Sequence, residues 1–564
     1  MLPVVSSGNI PQRSPARLIF FLLLWSGIAV ASPHSVTTNS QSVPSRNANH
    51  DALCSKCHSE IVAKYAKTAM AHASGQASDG PIQGKYFHTQ SKVDYRLQEE
   101  GGKLWLDFNR NDGQNLEGRR ELLYYIGSGQ LKGRTYLFEV DGFLFESPIN
   151  WFAQQRLWDM TPNYEKVREA PLNLPAFPEC LNCHTSGMQP PAVGTQNLYP
   201  DPPFTHGGIT CERCHGPASE HALQGKEMMS LSHLPPDRRD EICMQCHLEG
   251  NASVERPHRH VYDYKPGDDL LNFVRYFVFA NNGGQRAVSQ FEALAQSKCK
   301  RVSGEMTCTT CHDPHSEPEP AQAAAYFRGR CISCHGNAFA EKHHPDDPNC
   351  VACHMPGLSS KDVSHSEETD HRILRRPLRE TPVAGNSQLG ELQPFPSSSE
   401  TKNDVRDLGL AYESLVEHGD NAASSEAERL LQQADKQDPN DAPVLTALGY
   451  IAQERGDTNN SRQYYERALQ NNGDDQEAAT NLAVIEAKAG HLRRAVSLWQ
   501  TAFKEAPWRS SIGLDIALGY CAANRYDEAK VYVKRVLEFN PDFAIGRSLL
   551  DRLSANPPDC SLSR

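Results

Sequence analysis

The sequence is short of apolar residues and of positive charge. Hydrophobic residues make up 38% of 564 positions, a low share for a length that suggests two to four domains. Lysine and arginine number 57 against 69 acidic residues, a formal charge of −12. That balance argues against nucleic acid and against an anionic membrane surface as partners. One apolar run stands out, the thirteen residues Leu18 to Val30, and it is short for a transmembrane span. It follows Arg13 and Arg17 and ends at Ala29-Val30-Ala31, which together read as a secretory signal over 1–31, cleaved before Ser32. No cysteine stands directly after that point, so a lipid anchor is not suggested. The expected address is the periplasm, with no transmembrane anchor after cleavage.

Cysteine is plentiful and patterned. Cys-x-x-Cys-His recurs at Cys54/Cys57/His58, Cys180/Cys183/His184, Cys211/Cys214/His215 and Cys243/Cys246/His247. It recurs again at Cys308/Cys311/His312, Cys331/Cys334/His335 and Cys350/Cys353/His354. These seven copies use fourteen of seventeen cysteines, where chance would give roughly 0.02 copies. The spacing is that of c-type haem attachment. Two thiols a helical turn apart reach the two vinyl groups of one porphyrin, and the adjacent imidazole becomes an axial iron ligand. Zinc knuckles and redox disulfides also use Cys-x-x-Cys, but neither requires histidine at the next position in every copy. The expected cofactors are seven covalently bound c-type haems.

The texture changes along the chain. Residues 32–50 are rich in Ser, Asn and Thr and read as disordered. Residues 51–375 hold all seven motifs. Between the first and second, from about 82 to 150, Val93, Tyr95 and Leu97 alternate, as do Leu104, Leu106 and Phe108. Asp141-Gly142 marks a hairpin between Tyr136–Val140 and Phe143–Phe145. A small inserted antiparallel sheet is expected there, with Trp151, Phe152 and Trp158 packed on it or on a haem. Helix is expected at each motif and over Leu270 to Leu294. Residues 376–404 read as a Pro/Ser-rich linker.

Residues 405–555 repeat with a period of 34, seen in Ala434, Ala468, Ala502 and Val536 and in Pro439, Gly473, Pro507 and Pro541. Leu431, Tyr465, Trp499 and Val533 fill the large packing position. Period and pattern match the tetratricopeptide repeat, with the first helix of the first repeat out of register and Phe543–Leu553 as a cap. The fold class expected is mainly α: a haem-packed cytochrome domain with a small β insert, followed by an α-solenoid.

Beyond the haem signature, Cys211-Glu-Arg-Cys-His-Gly-Pro with His221, Cys308-Thr-Thr-Cys-His-Asp-Pro-His315 and Cys350-Val-Ala-Cys-His-Met-Pro carry a resemblance, joined by Asp362-Val-Ser-His365 and Asp370-His371-Arg372. Residues 52–375 resemble the multihaem cytochrome superfamily of hydroxylamine oxidoreductase, pentahaem nitrite reductase and their tetrahaem electron-transfer partner. The resemblance is strongest to tetrahaem-type domains (cytochrome c-552/c-554-like) fused to tetratricopeptide repeats. It implies electron transfer along a haem chain. Two features of the enzymes in that superfamily are missing: no Cys-x-x-Cys-Lys is present, and no equivalent of the cross-linked catalytic tyrosine can be placed.

Of 23 histidines, sixteen lie outside the motifs. His34, His418 and His491 are poorly located for iron. The preferred second axial ligands are His88, His221, His260, His315, His344, His365 and His371, with His50, His72, His206, His233, His258 and His343 in reserve. Met70, Met188 or Met355 could serve one iron. Cys299, Cys521 and Cys560 are left with no partner at haem spacing. The reading is a periplasmic electron carrier whose repeats dock a redox protein on their concave face. The alternative is a reductase or oxidase of small nitrogen or sulfur oxides at one open-coordinate iron. No catalytic residue is assigned.

Overall fold

In the computed structural model the described residues are 48–561, apart from 113–114, 131, 281–285, 344–348, 361–362, 364, 377–389 and 398–403. The expected signal segment, residues 32–47 and His344 lie outside them.

The inserted sheet is larger than the sequence suggested. Ten antiparallel strands run from β1 (Ser74–Gln76), β2 (Gly84–His88), β3 (Val93–Glu100), β4 (Lys103–Arg110) and β5 (Leu116–Ile126) to β6 (Gly133–Val140), β7 (Phe143–Glu146), β8 (Ile149–Phe152), β9 (Leu157–Met160) and β10 (Leu174–Pro175). The main path is β10-β7-β6-β5-β4-β3-β2, with β1 on β5, β8 on β6 and β9 on β8. Alternation drives it: Val93, Tyr95 and Leu97 of β3 and Leu104, Leu106 and Phe108 of β4 are all buried. Asp141 and Gly142 both take positive φ, 51° and 80°, the turn that suits strand twist in a two-residue hairpin. The sheet runs past its expected limit near 150 because β9 and β10 join it, with Trp151 paired to Trp158 across β8 and β9.

Beyond the sheet, β11 (Thr185–Met188) pairs with β12 (Phe204–Gly207). The helix expected over Leu270–Leu294 is only half present. A single 3-10 turn, Leu270–Asn272, leads into a strand, and helix returns at Gln290–Gln296. The run Val274-Arg-Tyr-Phe-Val-Phe is rich in aromatic and β-branched residues that favour a pleated surface. It forms β14 (Val274–Phe279) beside β13 (Ala252–Glu255). After β15 (Gly357–Ser359) and β16 (Glu367–Thr369), the supposed linker contributes β17 (Leu392–Phe395), paired with β14. Residues 392–395 are thus part of a three-stranded sheet rather than a linker.

The C-terminal helices form antiparallel pairs: Asp404–Glu417 with Ser424–Gln437, Ala442–Glu454 with Thr458–Asn471, Gln476–Lys488 with Leu492–Glu505, and Ser510–Ala522 with Tyr526–Phe539, followed by Ala544–Ser554. The small-against-large rule is visible at Gly449, where an added Cβ would lie 2.5 Å from the Tyr465 ring. Cys521 and Cys560 form a disulfide across 39 residues that ties the C-terminal segment to the last pair.

The helical array is fastened to the motif-bearing N-terminal half at both ends. Near its start, Ala411, Tyr412 and Val416 share a core with Ala252, Phe277, Phe279 and Leu392, and Arg256 is ion-paired with buried Asp407. Near its end, Trp508 and Phe539 enter the core of the ten-stranded sheet. Between these anchors, Glu417, Tyr450, Glu477, Asn481 and Leu514, on the first helix of each pair, face the same cavity as the haem motifs. The concave face expected to receive a partner is turned inward.

Candidate haem-binding site

Each motif sits on a short helix. The second ends Pro178–His184, the third Glu212–His215, the fourth Pro236–His247, the sixth Ala323–His335 and the seventh Cys350–His354. The fifth spans Cys308–Cys311 with His312 next. The first lies within Ala48–Tyr65, kinked at His58. One turn places both thiols on one side, and ending the helix at the histidine frees its ring to swing off the axis.

A cavity of about 3890 Å³ is lined by cysteines of motifs two to six, by His184, His247, His312 and His335, and by Val351 and Met355 of the seventh. A single cofactor pocket holds about 300–1,000 Å³, so this space suits several macrocycles. The motifs are also close to one another. Cys183 is in hydrogen-bond contact with Cys246, Cys243 with Cys308, and Cys331 with Cys350. His58 lies close enough to His215 to act on it electrostatically.

The structure does not bring every predicted attachment residue to this cavity. Cys57 and Cys353, the second thiols of the first and seventh motifs, are not among its lining residues. Nor are Cys54, His58, Cys211, His215, Cys350 and His354. Cys57 is exposed and Cys353 half-buried. The reason is local. The helix that carries Cys57 is largely solvent-facing from Cys57 to Ile61. Cys353 lies on a five-residue helix that turns only Val351 toward the cavity. The first and seventh motifs flank the cavity. None of the fourteen motif cysteines is disulfide-bonded.

Among the described residues, four motif histidines each face a second histidine. Ring centroids are 6.4 Å apart for His58 and His221, 5.8 Å for His215 and His315, 6.2 Å for His312 and His371, and 5.9 Å for His354 and His343. Metal–imidazole bonds of about 2 Å put two rings on opposite sides of one metal with centroids roughly 6 Å apart. The outward nitrogens suit this. Nδ1 of His221 meets the Lys226 carbonyl at 2.8 Å, Nδ1 of His371 the Thr369 carbonyl at 2.8 Å, and Nδ1 of His354 the Leu374 carbonyl at 2.5 Å. Nδ1 of His315 is 3.3 Å from Asp313. A ring that donates Nδ1–H to an oxygen keeps its Nε2 lone pair for a metal. Burial pushes His184 down to about 4 and lowers His215, His247, His312 and His371, so these imidazoles stay neutral near pH 7. Among the described residues no group of three or more His, Cys, Asp or Glu is arranged to hold a bare metal ion. The donor set therefore fits haem, which needs two protein ligands, better than tetrahedral zinc.

Other sequence candidates are placed differently. His88 is buried with Nδ1 on Ser91 Oγ at 2.8 Å and Nε2 on the Glu165 carbonyl at 3.0 Å; both nitrogens are engaged in holding the sheet, which removes it from the ligand set. His260 bonds Glu255 at 2.7 Å and stacks on Tyr262. His365 bonds Asp159 at 2.7 Å beside Phe152, at the cavity wall. His343, held in reserve, stands where His354 needs a second ring. The Cys521–Cys560 pairing was missed because a link across 39 residues leaves no local spacing to read.

Three families match parts of the chain: the doubled CXXCH motif over 301–340, cytochrome c554 and c-prime over 154–216, and the tetratricopeptide repeat over 442–475. The multiheme cytochrome MtrA of Shewanella baltica (strain OS185) is 25% identical over 211 residues, 33% of this chain and 62% of that protein. Human tetratricopeptide repeat protein 8 is 46% identical over 66 residues, 12% of each chain. The chain thus spans about three fifths of the first relative and about an eighth of the second. Among solved structures it is similar to MamA, at 20% identity over 25% of this chain and 74% of that one, with a TM-score of 0.22.

Proposed function

Because the chain joins a multihaem c-type cytochrome region to tetratricopeptide repeats, we propose that it is an exported electron carrier with seven haems, one on each Cys-x-x-Cys-His motif. Bound haem supplies reversible one-electron iron chemistry. The observation that carries the reading is the four histidine pairs at 5.8–6.4 Å. His221, His315, His371 and His343 are the second axial ligands to the irons of motifs one, three, five and seven. Two strong ligands close an iron to substrate and favour transfer over catalysis. The contacts between cysteines of neighbouring motifs keep successive sites close, and the repeats wall the cavity from water. Cys57 and Cys353 hold their haems on the flanks of the cavity, where electrons enter and leave.

Export is supported by the Cys521–Cys560 disulfide, a bond that persists in oxidising compartments. A redox protein is the expected partner, docked by the repeats. With the concave face turned inward, the outer helices carry that role; Val531 on Tyr526–Phe539 is 63% exposed there.

Electron paramagnetic resonance of the oxidised protein tests the proposal. Low-spin signals from the paired sites, unchanged by nitrite or hydroxylamine, support a carrier. A high-spin signal that shifts with either ligand favours the enzyme.

A further inference from the structure

Arg213, inside the third motif, is a cation without an anion. It lines the haem cavity together with Cys183, Cys214 and Cys246, one cysteine from each of motifs two, three and four, and its charge acts on all three. Its Nη2 donates to the backbone carbonyl of buried Asn182 at 3.0 Å and to that residue's Oδ1 at 2.5 Å. Its Nε is shielded from water and has no acceptor. Among the described residues no carboxylate forms an ion pair with it. Of the other cations at the cavity wall, Arg286 pairs with Glu292 and Lys132 with Glu368 at 2.8 Å; Arg134 and Arg509 also carry a shielded Nε without an acceptor, but neither lies inside a Cys-x-x-Cys-His motif.

A guanidinium held in a low-dielectric wall with an unmet donor is costly unless an anion arrives. The planar fork of arginine matches a carboxylate with two parallel bonds. Asn182, itself fixed in the second motif, sets the direction of that fork.

We propose that Arg213 is the carboxylate-binding residue at the junction of motifs two, three and four, where it holds a haem propionate and keeps the potentials of the adjoining irons high. The inference rests on haem occupancy of those motifs. Its electrostatic content is simple. A fixed positive charge stabilises the reduced state, which carries one more electron, so its removal moves the potential down. Arg213 acts through the propionate and the field, not as an iron ligand, and is a positioning residue.

The test is a spectroelectrochemical titration of the full-length mature protein, with intact mass measured on the same samples. Seven haems by mass in the native chain secure the premise separately. In R213Q at full haem content, up to three of the midpoint potentials are expected to move negative while the rest stay. All potentials unmoved at full haem content would overturn the proposal. If R213Q matures poorly, R213M decides. Methionine also removes the charge, so the same potentials should move negative; unmoved potentials in R213M at full haem content again overturn it.

Discussion

Arg110 and Asp542 are 432 residues apart in sequence and joined by two hydrogen bonds, of 2.9 and 2.6 Å. Their side chains are 4% and 0% exposed, and Asp542 also accepts from the Ala170 amide at 2.7 Å. The pair welds the fourth strand of the sheet to the end of the repeats. Removing one partner leaves a buried charge, so R110M or D542A should lower unfolding stability by about 3–5 kcal/mol, read from urea denaturation. For the same reason, removing residues 405–564 should strip Trp508 and Phe539 from the sheet core and give an aggregating fragment, checked by light scattering.

The histidine geometry makes a site-specific claim. H221A, H315A, H371A and H343A should each convert one haem from low to high spin, seen in the oxidised absorption and resonance spectra. H88A should leave every spin state unchanged. It should instead cost about 1–3 kcal/mol, because it strips buried hydrogen bonds from the sheet.

The Cys521–Cys560 disulfide fastens the last repeat. C560S should lower stability by about 2–4 kcal/mol and shift the thermal midpoint down, with the haem spectrum unaltered. Native protein unfolded in reductant should show the same loss.

Glu477 faces the cavity from Gln476–Lys488, the first helix of the third pair. Burial, then Glu417 and Asp475, push its carboxyl from the ordinary 4.5 up to about 8, with Arg509 opposing. Between those values the folded chain holds a proton that the unfolded chain has released. Its contribution is therefore most favourable below pH 4.5 and is lost as pH rises toward 8. Denaturation midpoints measured from pH 5 to 8 should fall less steeply in E477Q than in the native protein.

Local patterns in the sequence carried far. Cys-x-x-Cys-His marks a thiol pair and a ligand within one turn, and the period of 34 marks stacked helix pairs; both are short-range rules. The alternation of Val93, Tyr95 and Leu97 announced strands in the same way. What stayed hidden is long-range. The motif itself is identical at Cys57, Cys183 and Cys353, yet only Cys183 of the three lines the shared cavity. Nothing near His354 says that His343, rather than a neighbour, will face it. Leu392–Phe395 sits among Pro and Ser and becomes a strand only because Tyr276–Phe279 offers an edge. Trp508 reads as a repeat residue, yet it completes a sheet core that begins at Ala77. That contact also explains why the repeats' inner face is not open to a partner.

The most direct measurement is the intact mass of the mature chain, produced in a host that attaches c-type haem and analysed after denaturation. The account predicts the polypeptide plus seven covalently retained haems. The bare polypeptide mass, from a host shown to mature another multihaem protein, would contradict it.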